Sequence, residues 1–223
     1  MTRVRGIDGY ARGWIGVELD DGALVRVESA PTLAALCDPG CAVIGVDIPL
    51  GFPEKGWRAA DLAARRALGV RRNSIFLAPP ISVWEEDNWI AANKRTRQLT
   101  GQGLTKQAYA LRIKVLEANA LSGTIEQPLR EVHPELSFAG MNGSPLPYSK
   151  KTWNGVMARR ALLAACGIAV PDDLGAAGTV PVDDVLDAAA AAWSAHRIAV
   201  GAATALPEQP ELSSDGRPMA IWF

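Results

Sequence analysis

The first 28 residues alternate apolar and polar positions in short runs, which predicts three strands over residues 2–8, 13–19 and 23–28. In the second run Ile15, Val17 and Leu19 take every other position, so one face is set for burial. Asp8-Gly9 with Arg12-Gly13 closes the first strand, and Asp20-Asp21-Gly22 carries the Asp-Gly chemistry of a tight hairpin. After Pro31 a short helix is predicted over 32–37. Residues 41–48 then run apolar without alternation, as a parallel strand buried on both faces does.

Beyond Pro53 the pattern turns helical, with helices predicted over 57–68, 85–99 and 105–121, divided by Pro79-Pro80 and Gly101-Gln102-Gly103. A strand over 129–133 ends at Pro134, a loop rich in Gly, Pro and Ser spans 140–149, and a helix follows over 154–166. The last long helix, 182–200, enters behind Pro181, where a missing N–H costs nothing. Its alanine-rich stretch is small enough to lie close against a sheet. Residues 216–223 read as a final strand or docked end. The chain is thus expected to be one α/β domain over 1–223, with a mainly helical insertion at about 53–125.

At 223 residues and 48% hydrophobic content, the chain has material for a substantial core. Its longest uninterrupted apolar stretch, near 188–193, falls far short of the roughly 20 residues of a membrane-spanning helix. The first eight residues turn acidic before an apolar signal segment forms, so a cytoplasmic protein is expected. The three cysteines, Cys37, Cys41 and Cys166, lack the companions of a structural zinc site. His133 and His196 are the only histidines, which excludes a multi-histidine metal centre.

Charge is unevenly spread. Residues 55–114 hold twelve Lys/Arg against four acids, a balance of +8, while the remainder holds eleven against twenty, a balance of −9. Such a basic segment suits a polyanion, and Trp57, Phe76, Trp84, Trp89 and Tyr109 are interleaved as stacking surfaces. Arg71-Arg72-Asn73-Ser74 is its best phosphate-binding candidate, with Arg71, Arg72 and Ser74 as donors.

Candidate chemistry is acidic. Asp8 and Asp47 each close a strand beside a glycine-containing turn, and on adjacent parallel strands they would sit together at the carboxyl edge of the sheet. Such a pair needs a cation. Asp184 and Asp187 share one face of the last helix at i, i+3, whereas Asp183 lies about 100 degrees round it. Glu131, His133 and Glu135 fall on one side of an extended segment by its period of two. Three to five carboxylates suit magnesium or manganese, both of which prefer oxygen ligands. The expected catalytic set is Asp8, Asp47, Glu131, His133, Asp184 and Asp187, with Asp8, Asp47, Glu131 and Asp184 holding the metal.

The strings GIDGYARGW, GVDIPLGFP, EVHPELSF, SKKTWNG and DDVLDAAAAAW resemble domain family 429, whose members are described as predicted ribonuclease-H-like nucleases. The resemblance covers nearly the whole chain. It implies a β-β-β-α-β-α-β-α core with a mixed five-stranded sheet, and carboxylates at Asp8, at Asp47 and at Asp184 or Asp187. Asp184, Asp187 and Ala188 are similar to the terminal helix motif of Holliday-junction resolvases of the RuvC type. Lys150 and Lys151, within SKKTWNG, join the expected substrate-binding residues. The function so implied is metal-dependent hydrolysis of nucleic-acid phosphodiesters. Two alternatives stand beside it: a phosphotransferase or ATPase of the actin-like and sugar-kinase branch, and a non-catalytic binding protein on the same core. Asp8-Gly9-Tyr10-Ala11-Arg12-Gly13 lacks the Thr or Ser that the former needs in its phosphate loop.

Overall fold

A computed structural model describes residues 1–213 and 215–223. In chain order its elements are β1 (Arg3–Tyr10), β2 (Gly13–Asp20), β3 (Ala23–Ala30), β4 (Val43–Val46), α1 (Ala59–Leu68), α2 (Ile81–Trp84), α3 (Trp89–Thr100), α4 (Lys106–Ala110), α5 (Arg112–Ser122), β5 (Leu129–Glu131), α6 (Pro134–Asn142), α7 (Trp153–Ala165), α8 (Val182–Ala199), β6 (Ala205–Leu212) and β7 (Pro218–Trp222). Short 3-10 turns cover Ala34–Leu36, Gly69–Ser74 and Gly175–Thr179. The helix expected over 32–37 is only the first of these turns, because Asp38-Pro39 follows before a second helical turn can form.

The chain divides into two compact units. The first comprises Met1–Ile48, Thr124–Thr204 and Trp222–Phe223. Its sheet runs in the order β3-β2-β1-β4-β5, with β1 antiparallel to β2 and parallel to β4, and β4 parallel to β5. With its flanking helices, this mixed five-stranded sheet is a ribonuclease-H-like core. Helix α8 packs on β1, β2 and β4, and α6 and α7 pack on α8. The approach of α8 is set by small residues on both sides. A methyl group on Gly6 would lie 1.9 Å from the Ala192 backbone nitrogen, and one on Gly45 would lie 2.8 Å from the Ala191 carbonyl oxygen. Ala188 to Ala192 are all fully buried there.

The second unit comprises Pro49–Gly123 and Ala205–Ile221. It contains α1 to α5, β6 and all of β7 but Trp222, the two strands forming a two-stranded sheet. Strand β6 was not foreseen, because Pro207 and Pro210 remove two backbone donors from it. The aromatic residues expected to offer stacking surfaces are instead largely engaged within this unit. Trp84 is fully buried between Phe52 and Phe76, at centroid distances of 6.1 and 6.4 Å, and its indole donates to the Pro79 carbonyl. The Trp89 indole donates to the Leu104 carbonyl, and the Tyr109 hydroxyl donates to the Glu86 carbonyl.

Candidate metal centre

Sheet register builds the site. Gly6 pairs with Gly45 and Ile7 with Val46, and the Asp47 amide donates to the Ile7 carbonyl at 3.0 Å, so Asp8 and Asp47 follow side by side at the carboxyl ends of two parallel strands. Each aspartate stands two residues beyond the glycine that admits α8, and therefore points to the α8 face. Asp187 comes from that helix, immediately before the Ala188 whose carbonyl lies over Gly6. Asp8, Asp47 and Asp187 each offer a carboxylate oxygen, and the three oxygens lie within 4.8 Å of one another.

Like charges at this separation, removed from water, are costly. Burial pushes the Asp47 carboxyl up to about 7, with Lys150 opposing the shift and Glu135 and Asp184 adding to it. Burial likewise raises Asp187 to about 6, Lys150 again opposing and Asp47 adding. Asp8 is driven well above the usual carboxylate range by burial and then by Asp47 and Asp187. One compensation is partial: the Gly9 amide donates to Asp8 Oδ1 at 2.6 Å. Asp187 Oδ1 is buried and has no hydrogen-bond partner. An orphaned anionic oxygen beside two further carboxylates is what a hard divalent cation fits.

Lys150 enters this cluster. Its ammonium pairs with Asp187 Oδ2 and lies 3.7 Å from Asp183 Oδ2, and Lys151 pairs with Asp183 at 2.5 Å. Burial works against the Lys150 charge, but attraction to Asp187, then to Asp8 and Asp47, prevails and raises its pKa. The segment is locked from behind. Ser149 offers its carbonyl to the Thr152 amide and hydroxyl, and Thr152 caps α7 by accepting from the Gly155 amide. A methyl group on Gly155 would meet the Ser149 carbonyl oxygen at 1.8 Å, which accounts for the glycine in SKKTWNG.

A family model described as protein of unknown function (DUF429) matches residues 6–212. The chain belongs to the DUF429 family. Neither a curated protein nor a solved structure matches it. No helix among the described residues is long and apolar enough to cross a membrane.

In this DUF429 chain the structure brings Asp8, Asp47 and Asp187 together, whereas the sequence reading had Asp184 and Glu131 among the metal ligands in place of Asp187. Asp184 is half-buried and raises Asp8 and Asp47 electrostatically, so it borders the trio without belonging to it. The reason is rotational phase. Asp183 and Asp187, at i, i+4, are the buried acids of α8, and Asp184 turns toward its rim. Glu131 is buried on β5 outside the trio. His133 is the N-cap of α6, where its Nδ1 accepts from the Glu135 amide at 3.3 Å. The extended segment expected to align Glu131, His133 and Glu135 is therefore broken, because Pro134 occupies the first turn of a helix. Glu135 is buried and pairs with the fully buried Arg159, a partnership without a local sequence signal. Arg71, Arg72 and Ser74 lie in the 3-10 turn of the second unit. Arg72 and Ser74 are exposed, and the Ser74 hydroxyl donates to the Arg71 carbonyl.

Proposed function

We propose that this protein is a cytoplasmic, metal-dependent nuclease that hydrolyses nucleic-acid phosphodiester bonds with magnesium or manganese. The observation that carries the proposal is the convergence of the buried Asp8 and Asp187 with the half-buried Asp47 at the carboxyl edge of a ribonuclease-H-like sheet, with Asp187 Oδ1 left without a partner. These three residues would hold the ion. A bound divalent ion supplies Lewis acidity toward a phosphoryl oxygen and lowers the pKa of a coordinated water. The chain's own groups do the rest. Lys150 and Lys151 bring positive charge to the edge of the acidic cluster, which offsets its repulsion toward a phosphate. Asp184 restores negative potential at the rim.

The phosphotransferase reading has less to stand on. The β1–β2 connection is only Ala11-Arg12, too short and without hydroxyl side chains to cradle a phosphate chain. The experiment is cleavage of labelled single- and double-stranded DNA and RNA with magnesium, manganese or chelator. Activity that needs the ion and disappears in Asp47→Asn is expected. Cleavage that persists in chelator, or equally in Asp47→Asn, would remove the proposal.

A further inference from the structure

We infer that the site takes a single divalent ion, with the Lys150 ammonium standing as the second positive charge. The inference rests on the metal reading above and deepens it. The oxygens of Asp187 are divided, Oδ2 being paired with Lys150 and Oδ1 having no hydrogen-bond partner. Asp8, Asp47 and Asp187 can each bring a carboxylate oxygen within 4.8 Å of the others, and with Oδ2 held by Lys150, Asp187 has only Oδ1 left for coordination, so it cannot offer one oxygen to each of two ions.

Charge counting agrees. With an ion bound the three carboxylates carry −3 and Lys150 returns +1, leaving −2 for one divalent ion to neutralise. A second ion would leave +2 on these four side chains and the two ions, and like charges held that close repel. Of the neighbouring acids, Asp183 is matched by Lys151 and Glu135 by Arg159, while the half-buried Asp184 adds negative potential at the rim. Nor is Lys150 free to leave. Ser149, directly before it, is fixed by Thr152 and by the close approach of Gly155, while Lys151 is held on Asp183. The lysine is thus a built-in positioning residue for the ion, and displacing it would break two linked ion pairs.

Manganese titration by calorimetry, with paramagnetic resonance to detect coupled ions, tests this without any activity measurement. The wild-type protein should bind one ion and show no manganese–manganese coupling. Lys150→Met should bind two, with the first tighter by about tenfold or more because a nearby like charge is gone. Lys150→Arg, which keeps the charge, should still bind one. Two ions in the wild type, or a single ion in folded Lys150→Met, would overturn the inference while leaving a metal site in place. No binding by the wild type would overturn the metal reading and this inference with it. Should Lys150→Met fail to fold, the wild-type and Lys150→Arg counts still decide, since two ions in either would overturn the inference.

Discussion

The helical second unit and the acidic edge of the first unit's sheet treat buried charge in opposite ways. In the second unit it is closed off. Arg58, fully buried, pairs with Asp61 at 2.5 Å and donates to the carbonyls of Leu50 and Gly51, and Asp61 spends its other oxygen on the Ala78 amide. Arg65 turns two donors onto the Ile75 carbonyl, and Arg112 donates to the Trp84 carbonyl. In the first unit Asp8, Asp47 and Asp187 share one small space, with a single lysine among them and one oxygen unpartnered. A closed pair explains itself as architecture. An open cluster of one sign is destabilising as it stands, and its position at the carboxyl edge of the sheet marks it as a site. A conspicuous run of charge is therefore a poor guide to function: the basic run of 55–114 stands out in sequence, and the acidic edge of the first unit has the unresolved charges.

The sharpest way to break this contrast is to remove members of each set. Asp47→Asn and Asp187→Asn should each lower metal-dependent cleavage by about a thousandfold or more, since each removes a ligand from a three-carboxylate site. Asp47→Asn should leave the melting temperature of the metal-free protein at pH 8 unchanged or higher, because a repulsion is relieved, whereas Asp187→Asn also loses the ion pair with Lys150. Arg159→Ala and Arg58→Ala should do the reverse. Each takes away the ion-pair partner of a buried carboxylate, and chemical denaturation should show a loss of about 3–5 kcal/mol. Melting temperatures that fall in Asp47→Asn as far as in Arg159→Ala would erase the distinction between open and closed charge.

A pH series sharpens it further. Asp47 and Asp187 titrate near 7 and 6 in the fold, above the 3.8 of an unperturbed aspartate, and Asp8 is raised as well. Between about pH 4 and pH 7 the folded chain therefore keeps protons that the unfolded chain has released. Stability of the metal-free protein should fall as pH rises through that window. Calorimetric melts with chelator at pH 5 and pH 8 check the sign, and manganese should restore the loss at pH 8. A melting temperature that rises with pH in chelator would mean that the carboxylates are not crowded as described.

Much of the open cluster was legible in sequence, and the closed pairs were not. Asp8 and Asp47 stood out because each closes a strand beside glycine. The alanines of α8 were the local sign of a helix lying directly on the sheet, and Gly6 and Gly45 show their part only in the fold. Asp187 was in view, but choosing it over Asp184 required the rotation of α8 against β1, and a shared i, i+3 face does not fix that phase. Lys150 was visible only as a substrate-facing lysine. Its place against Asp187 depends on the Ser149–Thr152–Gly155 turn, which joins residues 37 positions apart in the chain. Glu135 was misplaced because Pro134, taken as the end of a strand, also opens a helix. Arg58, whose partner lies three residues away, was counted in the basic surface because charge counting does not register burial.

The smallest expected effect concerns that surface. If Arg71 and Arg72 of the second unit contact a nucleic-acid backbone, Arg71→Ala with Arg72→Ala should make the salt dependence of binding shallower by about one to two units. Fluorescence anisotropy at several salt concentrations, with calcium limiting turnover, reads this directly. An unchanged slope would restrict recognition to other residues.

The central claim, that Asp8, Asp47 and Asp187 form a metal centre, is tested most directly by anomalous diffraction from a crystal soaked in manganese. An anomalous peak coordinated by one oxygen from each of these three aspartates is predicted. Saturating manganese with no peak at them, or with ions only at other carboxylates, would contradict it.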